Sequence, residues 1–166
     1  HKGLRVIESS LEEVAGDERY DLLTAFELFE HLHDPVPFLA KSRDLLNTGG
    51  YLYLTTLNGL GFDIQVLRDR AKSVFPPQHL NFFNPHSIQI LLDRAGFDIF
   101  HISTPGQLDW DIVEGMLRNE NVNPGPFFGT GARYGTEEAK KDLQQWIAKH
   151  NFSSHMRVIA KKRQHV

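Results

Sequence analysis

The run YDLLTAF, residues 20–26, constrains the fold more than any other stretch of this chain. It is apolar on both alternating faces, the pattern of an interior parallel strand with helices on either side. A chain built around such a strand must also supply the covering helices. The segments that follow do so in alternation.

Leu4–Glu8 (LRVIE) reads as a short strand before it, and Leu11–Val14 as a brief helical turn. After Asp34-Pro35, the segment PVPFLAKSRDLLN has an apolar stripe of Phe38, Leu39, Leu45 and Leu46, with Pro35 suited to a first turn. Gly49-Gly50 is expected to end that helix, and Tyr51–Thr56 (YLYLTT) to form the next strand. Ile64–Val74 reads as a helix closed by Pro76-Pro77. Asn84-Pro85 opens another helix, HSIQILLDRAG, with Gly96 as its C′ residue. Phe97–Ser103 (FDIFHIS) and His155–Lys161 (HMRVIAK) are strands. Between them, residues 107–120 and 136–150 read as amphipathic helices around a Gly/Pro-rich loop at 123–135, an αα-hairpin inserted between the last two strands. At 166 residues the chain is expected to be a single domain, 1–166, of α/β class with a largely parallel sheet.

Composition narrows the function classes. A net charge of −3 and a pI near 6.3 give no electrostatic case for nucleic acid or an anionic membrane. Cysteine is absent, which excludes disulfides, thiolate nucleophiles and zinc–sulfur sites in this sequence. No apolar run approaches the roughly 20 residues of a membrane span. No secretory pattern opens the chain, so a soluble, cytoplasmic protein is expected.

In open α/β sheets, ligands gather at the carboxyl ends of the strands. The loop leaving residues 20–26 is one such place. It carries Glu27, Glu30, His31, His33 and Asp34 within eight positions.

The segments VIESSLEEV, YDLLTAFELFEHLHDP, LLNTGGYLYLTTLN and QHLNFFNPHSIQILLDRAGF, spanning residue 4 to about residue 103, resemble the later two-thirds of a class I S-adenosylmethionine-dependent methyltransferase. The resemblance lies in a series of motifs: an EH-L-DP ending after the fourth strand, a GG before the fifth, and HL-F followed by an AGF helix. It implies a Rossmann-like sheet of order 3-2-1-4-5-7-6, parallel with an antiparallel C-terminal edge formed by Phe97–Ser103 and His155–Lys161. The family's glycine-rich first loop, and the acid ending its second strand, have no counterpart in these 166 residues. The expected sheet therefore lacks the first two strands. The one glycine-rich tract, GTGARYG at 129–135, follows no strand and reads as a flexible loop.

Carried over by position, the resemblance places Ser9, Ser10 and Leu11 beside the adenine of S-adenosylmethionine. Ala25, Phe26 and Glu27 would line its adenosine and methionine side. His31, Asn58 and His79 would face the substrate mouth. Read as plain structure, Ser9 and Ser10 would cap a helix, and Asn58 would be a turn residue before Gly59.

Three readings of the acid–histidine cluster stand side by side. Glu27, Glu30 and His31, at i, i+3 and i+4, share one helical face, and with His79 they form a sulfur-free divalent-metal set. That pattern resembles the metal site of small-RNA 2′-O-methyltransferases and ubiquinone-pathway O-methyltransferases. Alternatively, His31 is a general base taking a proton from a substrate hydroxyl. The third reading is structural: a carboxylate fixes a histidine tautomer and caps the helix starting at Pro35. The structural reading is preferred, with no metal required. If a histidine acts in catalysis, His31 and His79 are the candidates.

The resemblance implies O-methylation of a small metabolite, a sugar or another polar molecule, with S-adenosylmethionine as cofactor. The rival is a catalytically inactive methyltransferase-like domain serving as an interaction module. Without the first two strands, residues 20–26 would be an open edge through which a homodimer could form.

Overall fold

The computed structural model describes residue 3, residues 5–119 and residues 122–164. Four strands form one sheet: β1 (Tyr20–Phe26), β2 (Leu46–Leu57), β3 (Phe97–Ser103) and β4 (His155–Lys162). Their order is β1-β2-β4-β3, with β1 parallel to β2 and β4 antiparallel to both of its neighbours. This is the 4-5-7-6 half of the expected sheet.

Register divides the sheet into two unlike faces. Leu23 and Ala25 lie level with Leu52 and Leu54, which pair with Ala160 and Val158. This face is buried under α1 (Pro35–Leu45) and α3 (Pro85–Arg94), through Phe38, Leu39, Ile88 and Leu92. Burial of this kind contributes about 25 cal/mol per Å² of apolar surface. The opposite face carries Leu22, Phe26 and Phe100 at 57–67% exposure, beside Tyr51 and Tyr53. Among the described residues, β1 is a sheet edge with one open face rather than a strand covered on both sides.

The helices begin where side chains supply acceptors for their free N–H groups. Asp34 Oδ1 accepts from Val36 N at 2.9 Å, with Pro35 in the first turn of α1. Asn84 and Ser87 form a reciprocal capping box on α3. Gly96, at φ 85, follows the end of α3 as expected of a C′ glycine. At the other end of α1, Lys162 Nζ donates to the carbonyls of Arg43 at 2.6 Å and Leu46 at 2.8 Å, tying the last strand to the helix terminus.

Several boundaries differ from expectation. Residues 5–8 are irregular and exposed, with no strand to pair against among the described residues, and Leu4 lies outside them. The turn at Leu11–Glu13 is 3₁₀. Helix α1 ends at Leu45, and β2 starts at once, passing Gly49-Gly50 within a register shift opposite Tyr20 and Leu22. Helix α2 is short (Phe62–Leu67), continued by a 3₁₀ turn over Arg68–Arg70.

The segment between β3 and β4 holds three helices: α4 (Asp109–Asn119), α5 (Pro126–Tyr134) and α6 (Glu137–Lys149). Helix α5 occupies most of the stretch read as a flexible loop. It packs on neighbouring aromatics: Gly131 lies beside the Trp110 ring, where a Cβ would sit in ordinary contact at 3.5 Å, and Phe128 packs edge-on against Phe62 at 5.4 Å. Packing thus overrides weak helix propensity. Phe62, Val66, Leu67, Trp110, Val113, Met116 and Ile147 form a second core under these helices. Leu108, Ile112 and Trp146, apolar residues of the same segment, are exposed.

Candidate functional site

The chain turns sharply as it leaves β1. Glu27 has φ 47, a left-handed conformation that non-glycine residues rarely adopt. The β2 strand holds it there. Glu27 N donates to Thr55 O at 2.9 Å, and Thr55 Oγ1 donates to Glu27 Oε1 at 2.6 Å. Strain that neighbours over-determine in this way collects at functional sites.

The next acid is used differently. Glu30 is 2% exposed, and its Oε2 accepts from Thr56 Oγ1 at 2.7 Å. Its carbonyl accepts from Leu80 N at 2.7 Å and Asn81 N at 3.2 Å. Glu30 therefore fastens the 78–83 segment to the end of the sheet. One consequence is to bring His31 and His79 together, with ring centroids 4.9 Å apart.

Both rings are oriented by carbonyls. His31 Nδ1 lies 2.8 Å from Gln78 O, and His79 Nδ1 lies 2.7 Å from Ser73 O. A carbonyl only accepts, so each Nδ1 carries a proton and points it inward. In the neutral form of each ring, the outer Nε2 can then take up a proton or a hydrogen bond from a bound molecule. The structural reading of a carboxylate fixing the His31 tautomer is replaced by this carbonyl, and Asp34, rather than Glu27 or Glu30, caps α1.

From His79 a chain of contacts runs around the carboxyl end of β2. Ser73, which accepts from His79 through its carbonyl, donates its hydroxyl to Asp63 Oδ2 at 2.7 Å. Asp63 Oδ1 accepts from Ser154 Oγ. The adjacent His155 places Nδ1 3.5 Å from Glu27 Oε1. Pairwise contacts thus string Glu27, His31, His79, Ser73, Asp63, Ser154 and His155 along the carboxyl ends of β1 and β2, where the substrate mouth is expected. Behind it, Asp109 accepts from Ser153 Oγ at 2.8 Å, Ser154 N at 2.8 Å and Gln144 Nε2 at 2.7 Å, locking α4 and α6 to the start of β4.

Of the other residues singled out in the sequence, Ala25 is buried, Phe26 is 60% exposed, and Ser9 and Ser10 are exposed. Ser10 precedes the 3₁₀ turn without a side-chain cap, and Leu11 packs on the sheet core. Asn58 does not face the mouth. It is fully buried, donates to Ser153 O at 2.8 Å and Asn151 O at 3.1 Å, and accepts from Leu60 N at 3.1 Å, which makes it a turn residue. Among the described residues, no three His, Asp or Glu side chains converge as metal ligands. Glu27 and Glu30 turn their carboxylates to Thr55 and Thr56.

Sequence reasoning passed over His155, Asp63, Ser73 and Ser154. The signal for His155 was its position: a last strand antiparallel to β2 must begin where β2 ends, and His155 pairs with Leu57.

A family model described as a methyltransferase domain matches residues 5–102. A ubiquinone biosynthesis O-methyltransferase from Cereibacter sphaeroides is 41% identical over 90 residues, covering 51% of this chain and 36% of that protein. A mitochondrial counterpart from Candida albicans is 36% identical over 50 residues, covering 30% of this chain and 15% of that protein. The chain therefore spans well under half the length of these relatives. Among solved structures, a SAM-dependent methyltransferase from Thermotoga maritima matches with a TM-score of 0.61 at 17% identity, covering 97% of this chain and 65% of that one. The cyclopropane synthase MmaA2 from Mycobacterium tuberculosis matches with a TM-score of 0.54 at 17% identity, covering 95% and 60%.

Proposed function

Since this chain belongs to the methyltransferase domain family, we propose that it forms the acceptor side of an S-adenosylmethionine-dependent enzyme that methylates an oxygen of a small molecule. The observation that carries the reading is the His31–His79 pair, with both Nδ1 atoms anchored and both Nε2 atoms free at the carboxyl end of the sheet. The naming of curated relatives as O-methyltransferases supports oxygen as the acceptor atom.

The residues present fit one wall of a cofactor site. At the end of β1, Phe26, whose side chain is exposed, directly precedes Glu27, whose carboxylate is half-exposed. An aromatic face next to a carboxylate suits a cationic sulfonium carried on an adenosyl group. Ala25 and Glu27 would line the adenosine and methionine side, with Ser9, Ser10 and Leu11 toward the adenine.

The cofactor, when bound, supplies an electrophilic methyl group. The chain's part is positioning and proton removal. As the acceptor oxygen gains the methyl group, its proton passes to His31 Nε2, while His31 Nδ1 keeps its own proton on Gln78 O. His79 lies against the His31 ring and fixes its plane. Ser73 couples that ring to Asp63, so the wall moves as one piece.

The test uses the full-length protein that carries this chain. Calorimetric titration with S-adenosylhomocysteine gives cofactor-site affinity, and transfer of a labelled methyl group to a panel of phenols and sugars gives the acceptor class. Binding with transfer to a hydroxyl supports the reading. Failure of both would leave an interaction module as the better account.

A further inference from the structure

A cavity of about 500 Å³ opens beside the mouth, between the 62–73 segment and α4. That volume lies within the range of small-molecule sites. Leu57, Ile112 and Met116 give it apolar walls, Lys72 stands at its rim, and His155 lies where it meets the end of β2. Of its polar lining, the buried Asp63 is already engaged, taking the hydroxyl protons of Ser73 and Ser154, while Asp111 and Asn119 are exposed. His155 is different. Its Nδ1 faces Glu27 Oε1 at 3.5 Å, and Glu27 is itself held by Thr55. That distance is longer than a formed hydrogen bond and closes with a shift of a few tenths of an ångström. With Nδ1–H directed at the carboxylate, the neutral form of the ring presents Nε2 as a bare acceptor.

We propose that this cavity holds the body of the acceptor, and that His155, braced by Glu27, is a specificity-determining residue that accepts a hydrogen bond from a hydroxyl of the bound molecule. The ligand class is a compact, mostly apolar hydroxy compound. A hydroxyl satisfies the ring nitrogen, whereas an ether of the same shape leaves it unpaired and desolvated. The inference rests on the methyl-transfer reading only in calling the bound molecule an acceptor.

Gly115 allows the cavity to be closed without disturbing the core. A Cβ there meets nothing within 4 Å, and the residue lines the cavity from the middle of α4. The chain also has two methionines that report independently: Met116 lines the cavity, and Met156 is fully buried in the sheet core.

The experiment follows both ¹³C-methyl methionine signals in NMR while 4-methylphenol, or its ether 4-methylanisole, is titrated into the 166-residue chain. We expect 4-methylphenol to shift Met116 and leave Met156 in place, and the ether to bind about tenfold more weakly. In His155→Ala the two compounds should bind alike. In Gly115→Leu neither should shift Met116, while the Met156 signal keeps its folded position. An unmoved Met116 in the parent chain would overturn the cavity assignment. A phenol preference that survives in His155→Ala would overturn the role of His155. Since no turnover is read, an inactive enzyme that still shows the phenol preference would refute methyl transfer and leave this site standing.

Discussion

Thr56 Oγ1 lies 2.7 Å from Glu30 Oε2, and the two residues are 1% and 2% exposed. This pair joins the loop after β1 to the neighbouring strand and gives the buried carboxylate its side-chain donor. Replacing Thr56 by Val keeps the shape and removes that donor. Leaving a buried acceptor unpaired costs about 1–3 kcal/mol. Thr56→Val should therefore lower the unfolding free energy by that amount, read as a lower urea midpoint, and an unchanged midpoint would show that the pair contributes nothing.

On the proposed methyl-transfer reading, and with the upstream segment present, His31→Ala should cut methyl transfer by roughly 10² to 10⁴-fold while leaving cofactor affinity nearly intact. His31 lies past Ala25–Glu27, and its ring is held from Gln78 rather than from β1. Lost cofactor affinity with unchanged turnover would place it on the wrong side of the cleft.

Chelation should not lower the melting temperature. Glu30 and Glu27 engage the Thr56 and Thr55 hydroxyls, and both histidines are anchored on carbonyls, so the fold around the mouth is held by protein groups. Thermal unfolding with and without a chelator checks this. A large drop would promote Glu27, Glu30, His31 and His79 as metal ligands.

The 166-residue chain should self-associate through β1. This edge leaves one row of backbone groups unpaired among the described residues, next to a face carrying exposed Leu22 and Phe26. Sedimentation at increasing concentration should show a rise in mass, and Leu22→Lys with Phe26→Lys should suppress it. A monomer at every concentration would remove the dimer from the account.

Acid should loosen the helical layer. Glu114 on α4 receives Lys140 Nζ of α6 at 2.9 Å, and also Arg118. The hydrogen bond from Lys140 is the largest cause holding the Glu114 carboxyl below its usual range. A depressed carboxylate contributes stability that is present above its unfolded value, near 4.3, and is lost as pH falls through the lower folded value. The contribution should be intact at neutral pH, decline only below about pH 4.3, and vanish in Glu114→Gln. Comparing the two unfolding curves across that interval tests it.

Much of the sheet was legible because its strands have a clear two-residue period or a dense apolar run, as in YLYLTT and FDIFHIS. Glu27 and His31 could be placed by the rule that ligands gather at strand ends. The fate of Glu30 could not, because it depends on Thr56, 26 residues away, reaching across from the next strand. Helix α5 is hidden by its glycines, which read as a loop until Phe128 finds Phe62 and Gly131 finds Trp110 to pack against. Residues 5–8 have strand composition but no strand beside them, and pairing, not propensity, decides such segments. His155 needed the direction of β4, which local pattern does not encode.

The antiparallel return of β4 also sets an order in time. Asn58 and Ser153, which join the end of β2 to the start of β4, stand 95 residues apart in the chain. At ribosomal rates of about 5–20 residues per second, the second partner emerges roughly 5–20 s after the first. Until then, the interior flank of β2 waits for its partner and the mouth lacks His155. Loop closure over such a separation is slow. The nascent chain thus passes through an interval with β2 unpaired toward β4, when it is most open to capture by chaperones or by other nascent copies of itself.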